Sequence, residues 1–494
     1  MRSAPRTPAE ARTDEHRYDM KIPVLWRTHA LFAMIAGVFV TFFIVAIPPG
    51  WGWDEQSHVA RAYQVGSGML SPFTREDGVT LGADVPSSLV ALEMEGHRQA
   101  NAMDRNAPWW ERADFADAVT VGQLWGDSLA DSPRVEYDVS NAAASSFVAY
   151  GAGAVGLRVA EFLGLSVGAS LLLAELLNAA SYIALVGSAI WVLRRFRVRW
   201  VFFAVGLLPS AISQAAYLTA DTYTNGASIL FAALIVRLIV DTARASPAIL
   251  WAAAIAGIAV VVAKPSYAVL LAIALAVPWN RVADTGRRIW RRIPLGGAIV
   301  GAYLIVAAGV AAMVLLATAS ASRAIAAMYA RGADPAAQMA GLREDPVSVV
   351  GILVRTAGYY GEGWLKSLVG MFGYNTVAVP QPFAVIAVIA VVLAAFASER
   401  LGVLRGVIFA AASLVTGVVT IVAIYLSFSA VGSAEADGVQ GRYFLPLLVP
   451  LVLGTAAIVP GRFVMSARGS AVMFPTIAVS ALGATAVVWM LFLT

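Results

Sequence analysis

Long apolar runs alternate with short polar stretches along most of the chain. Many of these runs have about the length that crosses the roughly 30 Å hydrocarbon core of a bilayer as a helix. They cover residues 30–47, 168–193, 200–218, 223–240, 247–263, 265–279, 294–318, 376–397, 402–428, 443–459 and 470–493. The pattern predicts an all-α polytopic membrane protein with about 11 transmembrane helices.

The amino-terminal region predicts a cytoplasmic tail followed by a retained helix. Residues 1–28 are polar and rich in Arg, Pro and Thr. The run from Ala30 to Ile47 is followed by Pro48-Pro49-Gly50-Trp51 rather than by a small-residue cleavage site, so it does not resemble a removed signal peptide. We therefore expect a single integral membrane domain over residues 29–493.

The predicted orientation depends on one weaker apolar run. This run, Ala142 to Leu163, carries Arg158 and Glu161. If it spans the membrane, the Arg tract at 194–199 lies outside; if it lies flat as an amphipathic helix, that tract is cytoplasmic. The flat arrangement puts 21 basic residues inside and 14 outside, which together make the 35 Lys and Arg of the chain. The positive-inside rule favours this arrangement.

The flat arrangement concentrates polar chemistry on one face of the membrane. It predicts two large extracytoplasmic loops, 48–167 and 319–375, with residues 142–163 as a juxtamembrane helix in the first. The amino terminus is then cytoplasmic and the carboxyl terminus lies outside. The sequence therefore predicts a multi-pass protein of the cytoplasmic (inner) membrane whose functional groups face outwards.

Composition excludes several classes of protein. Only 13% of the residues are charged and 59% are hydrophobic, whereas soluble domains carry roughly a quarter charged residues. An ordinary cytosolic enzyme is thereby excluded. The absence of cysteine excludes disulfides, zinc-thiolate sites and thiol nucleophiles. A net charge of +4 with no basic aromatic patch indicates no nucleic-acid partner.

The first candidate site follows the first helix directly. Asp54 and Glu55 stand at the predicted start of a helix, and His58 lies four residues beyond Asp54 on the same face. Two adjacent carboxylates at the water–lipid boundary suit a general base or a divalent-cation ligand. Helix capping by Asp54 with a surface ion pair explains the same residues, and both interpretations stay open.

Four more polar residues lie at predicted outer ends of helices. Asp221 either caps the helix at 223–240 or faces the same cleft as Asp54. Lys264, followed by Pro265, is either a snorkelling anchor or a phosphate contact. Arg442 and Tyr443 either belong to an interfacial belt or lie where a lipid phosphate would sit.

Several stretches, taken in order, resemble one family of bacterial membrane proteins. They are Pro49…Trp53-Asp54-Glu55…His58…Arg61-Ala62-Tyr63-Gln64…Gly68, Leu208-Pro209…Gln214…Asp221, Lys264-Pro265-Ser266-Tyr267, Gly370-Met371-Phe372-Gly373 and Val439-Gln440-Gly441-Arg442-Tyr443…Pro446. Over about residues 30 to 460 this ordered set is similar to the family named domain of unknown function 2142. That family in turn resembles the glycosyltransferase C superfamily, which keeps an acidic motif and juxtamembrane helices in its first outside loop.

The resemblance implies a membrane glycosyltransferase of that architecture. It would transfer a sugar from a polyprenyl-phosphate lipid donor to an envelope glycan or glycolipid acceptor on the outer face, in contact with membrane lipids. Asp54 would be the catalytic base, with Glu55 second. Lys264 and Arg442 would stabilise the departing phosphate, while His58, Asp221 and Tyr443 contact substrate. The sequence leaves the cofactor unknown, with a divalent cation on Asp54 and Asp221 as one option.

Two other functions are compatible with the sequence. The chain could be a transporter or flippase of an envelope lipid or glycan, for which Glu175 inside the helix at 168–193 is the relevant charge. Transporters usually show internal repeats and broken helices around a midplane site, and we find no repeat. The chain could also be a non-catalytic subunit of an envelope-assembly complex.

The predicted orientation can be tested with a single thiol, because the chain has no cysteine of its own. We expect Arg195→Cys to react in intact cells with membrane-permeant maleimides and not with impermeant ones, since positive charge in short loops is retained inside. Ala434→Cys, in the predicted outer loop, is the matched control and should react with both. Labelling of Arg195→Cys by an impermeant reagent would reject the orientation.

Overall fold

The described part of the molecule is almost entirely helical. The structure is a computed structural model that describes residues 27–102, 118–242, 246–278, 333–373 and 377–493. Helices dominate these ranges, with only two small sheets, so the predicted all-α membrane class is confirmed. The predicted tail, apart from its last two residues, and the run at 294–318 lie outside the described residues.

The amino-terminal part contains one long helix and then a compact segment of mixed structure. Its elements are α1 (Thr28–Ala46), α2 (Glu55–Gly66), β1 (Phe73–Thr74), β2 (Leu81–Pro86), α3 (Ser87–Ala102), α4 (Ala118–Gly126), β3 (Arg134–Asp138), α5 (Ser140–Ala143), a 3₁₀ helix (Phe147–Tyr150) and α6 (Gly151–Phe162). The three strands form an antiparallel sheet in the order β1-β2-β3. The sequence had not predicted this sheet.

The rest of the described chain is a helical bundle. Its elements are α7 (Val167–Val192), α8 (Arg199–Gly206), α9 (Pro209–Ala215), α10 (Ala220–Val240), α11 (Pro247–Ala263), a 3₁₀ helix (Pro265–Ala276), α12 (Pro335–Glu344), α13 (Ser348–Gly370), β4 (Met371–Phe372), β5 (Val377–Ala378), α14 (Gln381–Phe396), α15 (Val403–Phe428), a 3₁₀ helix (Gly441–Phe444), α16 (Leu445–Ile458) and α17 (Ala467–Leu493). Most of its buried apolar side chains form one core that includes α1, and a smaller cluster lies between α13 and α15.

Six segments of the described chain are long and apolar enough to cross a membrane. They are α1, α7, α10, α15, α17 and the segment Gly441–Ile458, which joins a 3₁₀ helix to α16. The protein is therefore a multi-pass membrane protein, as predicted. Three further predicted runs form shorter apolar helices, namely α11, the 3₁₀ helix Pro265–Ala276 and α14. The total of about 11 transmembrane helices stays a prediction.

The run at 200–218 is not one continuous helix, and that part of the prediction was wrong. It divides into α8 and α9, because Pro209 opens a new helix and Leu208 takes an extended conformation (φ −57°, ψ 138°). A residue that precedes proline is pushed out of the helical region by the proline ring. Residues on both sides of Pro209 are apolar, so the hydrophobic pattern alone does not show this break.

Residues 142–163 do not form a single spanning helix either. They divide into the end of α5, a 3₁₀ turn and α6, whose 12 residues extend only about 18 Å. That length is well short of the hydrocarbon core of a bilayer. α6 packs against α2 and α7. Its predicted orientation flat on the membrane surface stays a prediction.

Close backbone contacts hold the first loop against the bundle. Pro48 and Pro49 end α1, and the chain then turns through Gly50 (φ +78°) onto α3. A Cβ at Gly96 would lie 1.7 Å from the Pro49 carbonyl oxygen, and a Cβ at Gly50 would lie 2.0 Å from that of Glu93. Only glycine allows this approach. The contact fixes the start of α2 above the bundle.

Candidate functional site

Charged side chains from three separate segments meet around Asp221. Asp221 lies in the first turn of α10, Lys264 at the end of α11, and Arg442 in the 3₁₀ helix that precedes α16. Lys264 Nζ lies 3.4 Å from Asp221 Oδ1, and Arg442 Nη1 lies 3.5 Å from Asp221 Oδ2. One carboxylate thus receives a different cation on each oxygen. The structure thus brings Lys264 and Arg442 together at Asp221.

Local sequence explains why these charges stand at helix ends. Thr219 caps α10, and its hydroxyl accepts from the Asp221 backbone N–H at 3.4 Å. The capping role predicted as one option for Asp221 was therefore wrong. Its carboxylate instead contacts Lys264 and Arg442. Lys264 takes an extended conformation before Pro265 and so ends α11. An anion at a helix amino terminus and a cation at a carboxyl terminus are both favoured by the helix dipoles.

Arg442 is buried and yet incompletely paired. Its side chain is 6% exposed, and its Nε and Nη1 groups have no hydrogen-bond partner among the described residues. The preceding Gly441 is pressed against α13, since a Cβ there would lie 1.9 Å from the Trp364 carbonyl oxygen. Trp364 Nε1 also donates to the Val439 carbonyl oxygen at 2.8 Å. Packing therefore sets the position of Arg442 rather than its own hydrogen bonds.

Two tyrosine rings line the cationic part of the site. Lys264 Nζ lies 4.3 Å from the ring centroid of Tyr443 and 5.1 Å from that of Tyr267. The Tyr267 hydroxyl donates to the Tyr443 carbonyl oxygen at 2.7 Å, which ties the hairpin after α11 to the start of α16. A cation beside an aromatic face is stabilised by the ring quadrupole. Lys264 is thus a paired member of this cluster and not an isolated anchor.

Asp54 precedes α2 but does not cap it. Its side chain makes no capping hydrogen bond, and its backbone is left-handed (φ 53°), the only such non-glycine residue in the described chain. Its Oδ1 accepts from Asn141 Nδ2 at 3.2 Å. The capping interpretation was therefore wrong. Backbone strain of this kind persists only where surrounding structure imposes it, and it is common at functional sites.

His58 faces the charged cluster from α2. It is 8% exposed, and its Nδ1 lies 2.7 Å from the Tyr150 hydroxyl oxygen. Burial lowers the pKa of His58 to about 4; Asp54 and Asp221 raise it, and Arg442 and Lys264 lower it. His58 is therefore neutral at pH 7, and the charged groups that act on it are the other predicted site residues.

Glu55 points away from Asp54 into a separate buried cluster. It is 1% exposed, and its Oε2 accepts from the Gly52 N–H at 2.8 Å. Glu93 on α3 and Glu175 on α7 are its neighbours, and Glu175 hydrogen-bonds to it. Burial raises the pKa of Glu55 to about 7. It also raises the pKa of Glu93 well above its usual value, with the Glu55 charge adding to the effect. The two adjacent carboxylates therefore do not act on one site.

The arrangement does not form a divalent-cation site on the described residues. No group of three or more His, Asp or Glu side chains in the described part of the chain could hold a metal ion. Both oxygens of Asp221 already face cations, and a metal ion there would be repelled by Lys264 and Arg442. The chemistry of these side chains favours an anion.

Three residues of the site were not predicted from the sequence. Asn141 orients Asp54, Tyr150 pairs with His58, and Glu93 completes the carboxyl cluster. Asn141 and Tyr150 stand in an Ala-rich stretch without a motif, 87 and 92 residues from their partners. The one available signal was Glu93, an acidic residue flanked by apolar Leu92 and Met94.

Fold and site together define a multi-pass membrane protein with a mixed charge cluster at the ends of its helices. The family described as "Predicted membrane protein (DUF2142)" matches residues 38–451, and the chain belongs to this family. The predicted family is thus confirmed. No curated protein and no solved structure matches the chain.

The carboxyl cluster makes stability depend on pH in a defined direction. A carboxyl whose pKa is raised by folding stabilises the fold below its unfolded pKa, and this contribution is lost as pH rises through the folded pKa. For Glu55 that window runs from about pH 4.5 to about pH 7. We expect the unfolding temperature in detergent to fall as pH rises from 5 to 8.

Glu93→Gln should reduce this fall and raise the unfolding temperature at pH 8. It removes one of the buried carboxyl groups whose ionisation opposes folding as pH rises, because burial and the charge of Glu55 disfavour the ionised form. Glu136→Gln, a half-exposed residue of the same loop, is the control and should keep the wild-type dependence. An unfolding temperature of Glu93→Gln that tracks wild type at every pH would contradict this account of the cluster.

Proposed function

We propose that the protein is a glycosyltransferase that uses a polyprenyl-phosphate sugar as donor and an envelope glycan or glycolipid as acceptor. The observation that carries the proposal is the buried guanidinium of Arg442, whose Nε and Nη1 groups have no hydrogen-bond partner in the described part of the chain, with a second cation, Lys264, on the same carboxylate. A buried donor without a partner costs about 1–3 kcal/mol. A phosphate oxygen would remove that cost.

The spacing within the charge cluster supports an anionic ligand. Charge-assisted N–H···O bonds are usually about 2.7–2.9 Å long, whereas the two contacts of Asp221 measure 3.4 and 3.5 Å. Asp221 is thus close enough to both cations to hold them in place, but it is too far away to form a short hydrogen bond with either of them. Lys264 retains further ammonium protons, and Arg442 retains part of its planar fork. Both can bind one phosphate from two sides.

The location of the cluster suits a lipid-linked substrate. Asp221 opens α10 and Arg442 opens the segment Gly441–Ile458, and both segments are long and apolar enough to span a membrane. A polyprenyl tail is too apolar to leave the bilayer. A phosphate site at the ends of spanning helices lets the tail stay in lipid while the sugar projects toward the first loop.

Asp54 is the proposed base. The acceptor hydroxyl oxygen attacks the anomeric carbon, the bond from that carbon to the phosphate oxygen breaks, and the hydroxyl proton passes to Asp54. The polyprenyl phosphate leaves with the bonding electrons, and Arg442 and Lys264 stabilise its added charge. Asn141 orients the Asp54 carboxylate. Glu55, the second predicted base, is buried in the other cluster.

The proposal includes the finer architecture predicted from the sequence. We infer about 11 spanning helices with a glycosyltransferase C-like arrangement, an amino terminus in the cytoplasm and a site on the outer face of the inner membrane. α2 and α6 are the juxtamembrane helices of this arrangement. They are 12 residues long each and pack against one another, and the positive-inside rule favours their outer location.

A second candidate function, proton-coupled transport of an envelope lipid, rests on the other cluster. Glu175 lies within the spanning helix α7. It forms a buried cluster with Glu55 and Glu93. Buried acidic groups in membrane helices commonly carry protons in transporters. The cationic site formed by Lys264 and Arg442 has no role in that scheme, so transfer is the favoured function.

The base assignment predicts the behaviour of Asp54→Asn. This variant should abolish restoration of the missing envelope glycan in a deletion strain, because loss of a general base typically lowers the rate 10²–10⁴-fold. Expression and unfolding temperature should stay near wild type, since Asp54 is partly exposed and makes no cap.

Asp84→Asn, on an exposed position of the first-loop sheet, is the matched control and should restore the glycan fully. Full restoration by Asp54→Asn, with loss in Glu175→Gln, would instead favour transport. Unchanged envelope glycans in the deletion strain itself would remove glycosyl transfer as the function.

The phosphate assignment predicts a ranking at Arg442. Arg442→Ala should weaken binding of undecaprenyl phosphate, measured with purified protein in nanodiscs, by roughly one to two orders of magnitude, since a charged hydrogen bond contributes about 1.5–3 kcal/mol. Arg442→Lys should also bind poorly, because lysine keeps the charge and loses the planar fork.

Arg405, an intermediate-exposed arginine predicted to face the cytoplasm, provides the control variant Arg405→Ala with unchanged affinity. If Arg442 is only an interfacial anchor, Arg442→Lys will bind as wild type. Unchanged affinity in Arg442→Ala would dismiss the phosphate role.

A further inference from the structure

A short hydrogen-bonded chain leads away from the ring of His58. His58 Nδ1 lies 2.7 Å from the Tyr150 hydroxyl oxygen, which lies 3.0 Å from the Ala142 carbonyl oxygen. Tyr150 is 1% exposed and Ala142 is fully buried. All three groups are therefore shielded from water, and Ser145 is a further hydrogen-bond partner of the Tyr150 hydroxyl.

The carbonyl oxygen at the end of this chain decides where the protons lie. A carbonyl oxygen only accepts, so the single hydroxyl proton of Tyr150 is donated to Ala142. The Tyr150 oxygen is then left with lone pairs and accepts from His58, which places the ring proton on Nδ1. In a neutral imidazole the other nitrogen, Nε2, then carries a lone pair.

Nε2 remains available at the edge of the ring away from Tyr150. It makes no hydrogen bond to any residue in the described ranges. The charged groups that act on the ring are Asp54, Asp221, Arg442 and Lys264. The bond to Tyr150 fixes one edge of the ring, and Nε2 lies on the opposite edge.

We propose that Nε2 of His58 accepts a hydrogen bond from the acceptor hydroxyl and holds that hydroxyl beside Asp54. The assignment rests on the proposed glycosyl transfer and specifies its acceptor. Tyr150 is a positioning residue, because it acts only by fixing the tautomer and orientation of His58. Asp54 takes the proton, whereas the hydrogen bond to His58 orients the acceptor hydroxyl for its attack.

The chemistry of an unprotonated Nε2 limits the acceptor to groups that can donate. A hydroxyl has a proton to donate, and so meets this condition. A carboxylate or a fully ionised phosphate presents only lone pairs, which Nε2 and Asp54 would both repel. The pKa of about 4 for His58 keeps the ring neutral throughout the physiological range, so it serves as a steady acceptor and not as the base.

Two substitutions separate the role of Nε2 from that of Nδ1. The amide of Asn at position 58 can replace Nδ1 as donor to Tyr150 and offers nothing at the position of Nε2. The amide of Gln reaches the position of Nε2 and presents its oxygen there as an acceptor. The readout is the rate at which the glycan lost in a deletion strain reappears after induced expression, at equal protein level.

We expect His58→Gln to restore the glycan at least about tenfold faster than His58→Asn, which corresponds to one hydrogen bond of about 1.4 kcal/mol. The opposite order would overturn the proposal, since it would show that the bond to Tyr150 alone matters. Equal rates would overturn it as well. A deletion strain that loses no glycan would reject glycosyl transfer itself, and the tautomer would then be tested as follows.

The tautomer can be measured without any substrate. Nitrogen NMR of protein labelled with ¹⁵N-histidine, in nanodiscs at pH 7, distinguishes Nδ1–H from Nε2–H rings, and the His58→Asn spectrum identifies the signal of His58. We expect a neutral ring protonated at Nδ1 in the wild type and a shift toward Nε2–H in Tyr150→Phe. A wild-type ring that is protonated at Nε2, or at both nitrogens, would overturn the proposal.

Discussion

The contact of one carboxylate with two cations is the constraint on which the site depends. Asp221 joins the start of α10, the end of α11 and the approach to α16 through Lys264 and Arg442. Charges so far from water require partners, because desolvation of an unpaired ion is expensive. The cation nitrogens lie 3.4 and 3.5 Å from the Asp221 oxygens, so both cations keep hydrogen-bonding capacity for a further ligand. The same contact therefore stabilises three chain segments and leaves positive charge available for an anion.

The turn at Asp54 separates two kinds of electrostatics. Its left-handed backbone directs Asp54 to Asn141 and the cationic cluster, while the next residue, Glu55, turns inward to Glu93 and Glu175. In the first cluster negative charge is balanced by Lys and Arg side chains. In the second it is suppressed by retained protons, because buried carboxyl groups close together cannot all ionise. Adjacent residues thus belong to two clusters of different chemistry, of which only the first contains the proposed base.

The first loop completes the site that the bundle begins. The bundle supplies Asp221, Lys264 and Arg442, whereas the loop supplies Asp54 and His58 from α2 and their partners from α5 and the 3₁₀ turn after it. The cations lie at the ends of spanning segments, where the proposed lipid phosphate would bind, and Asp54 and His58 lie on the loop side. A donor held in lipid and an acceptor arriving from water would meet between them.

The sequence by itself determined the membrane class, six of the spanning segments and the family, and it singled out Lys264 and Arg442 as candidate site residues. These follow from the length and polarity of local runs and from short motifs, which the chain carries wherever it folds. Pro209 also predicts its helix break from sequence, although the apolar run concealed it. Only the tertiary structure decided that Thr219 caps α10, that Asp54 and Glu55 face different clusters, and that Asn141 and Tyr150 complete the site. Those outcomes depend on packing between segments far apart in the chain, such as the 92 residues between His58 and Tyr150, and no local pattern encodes such contacts.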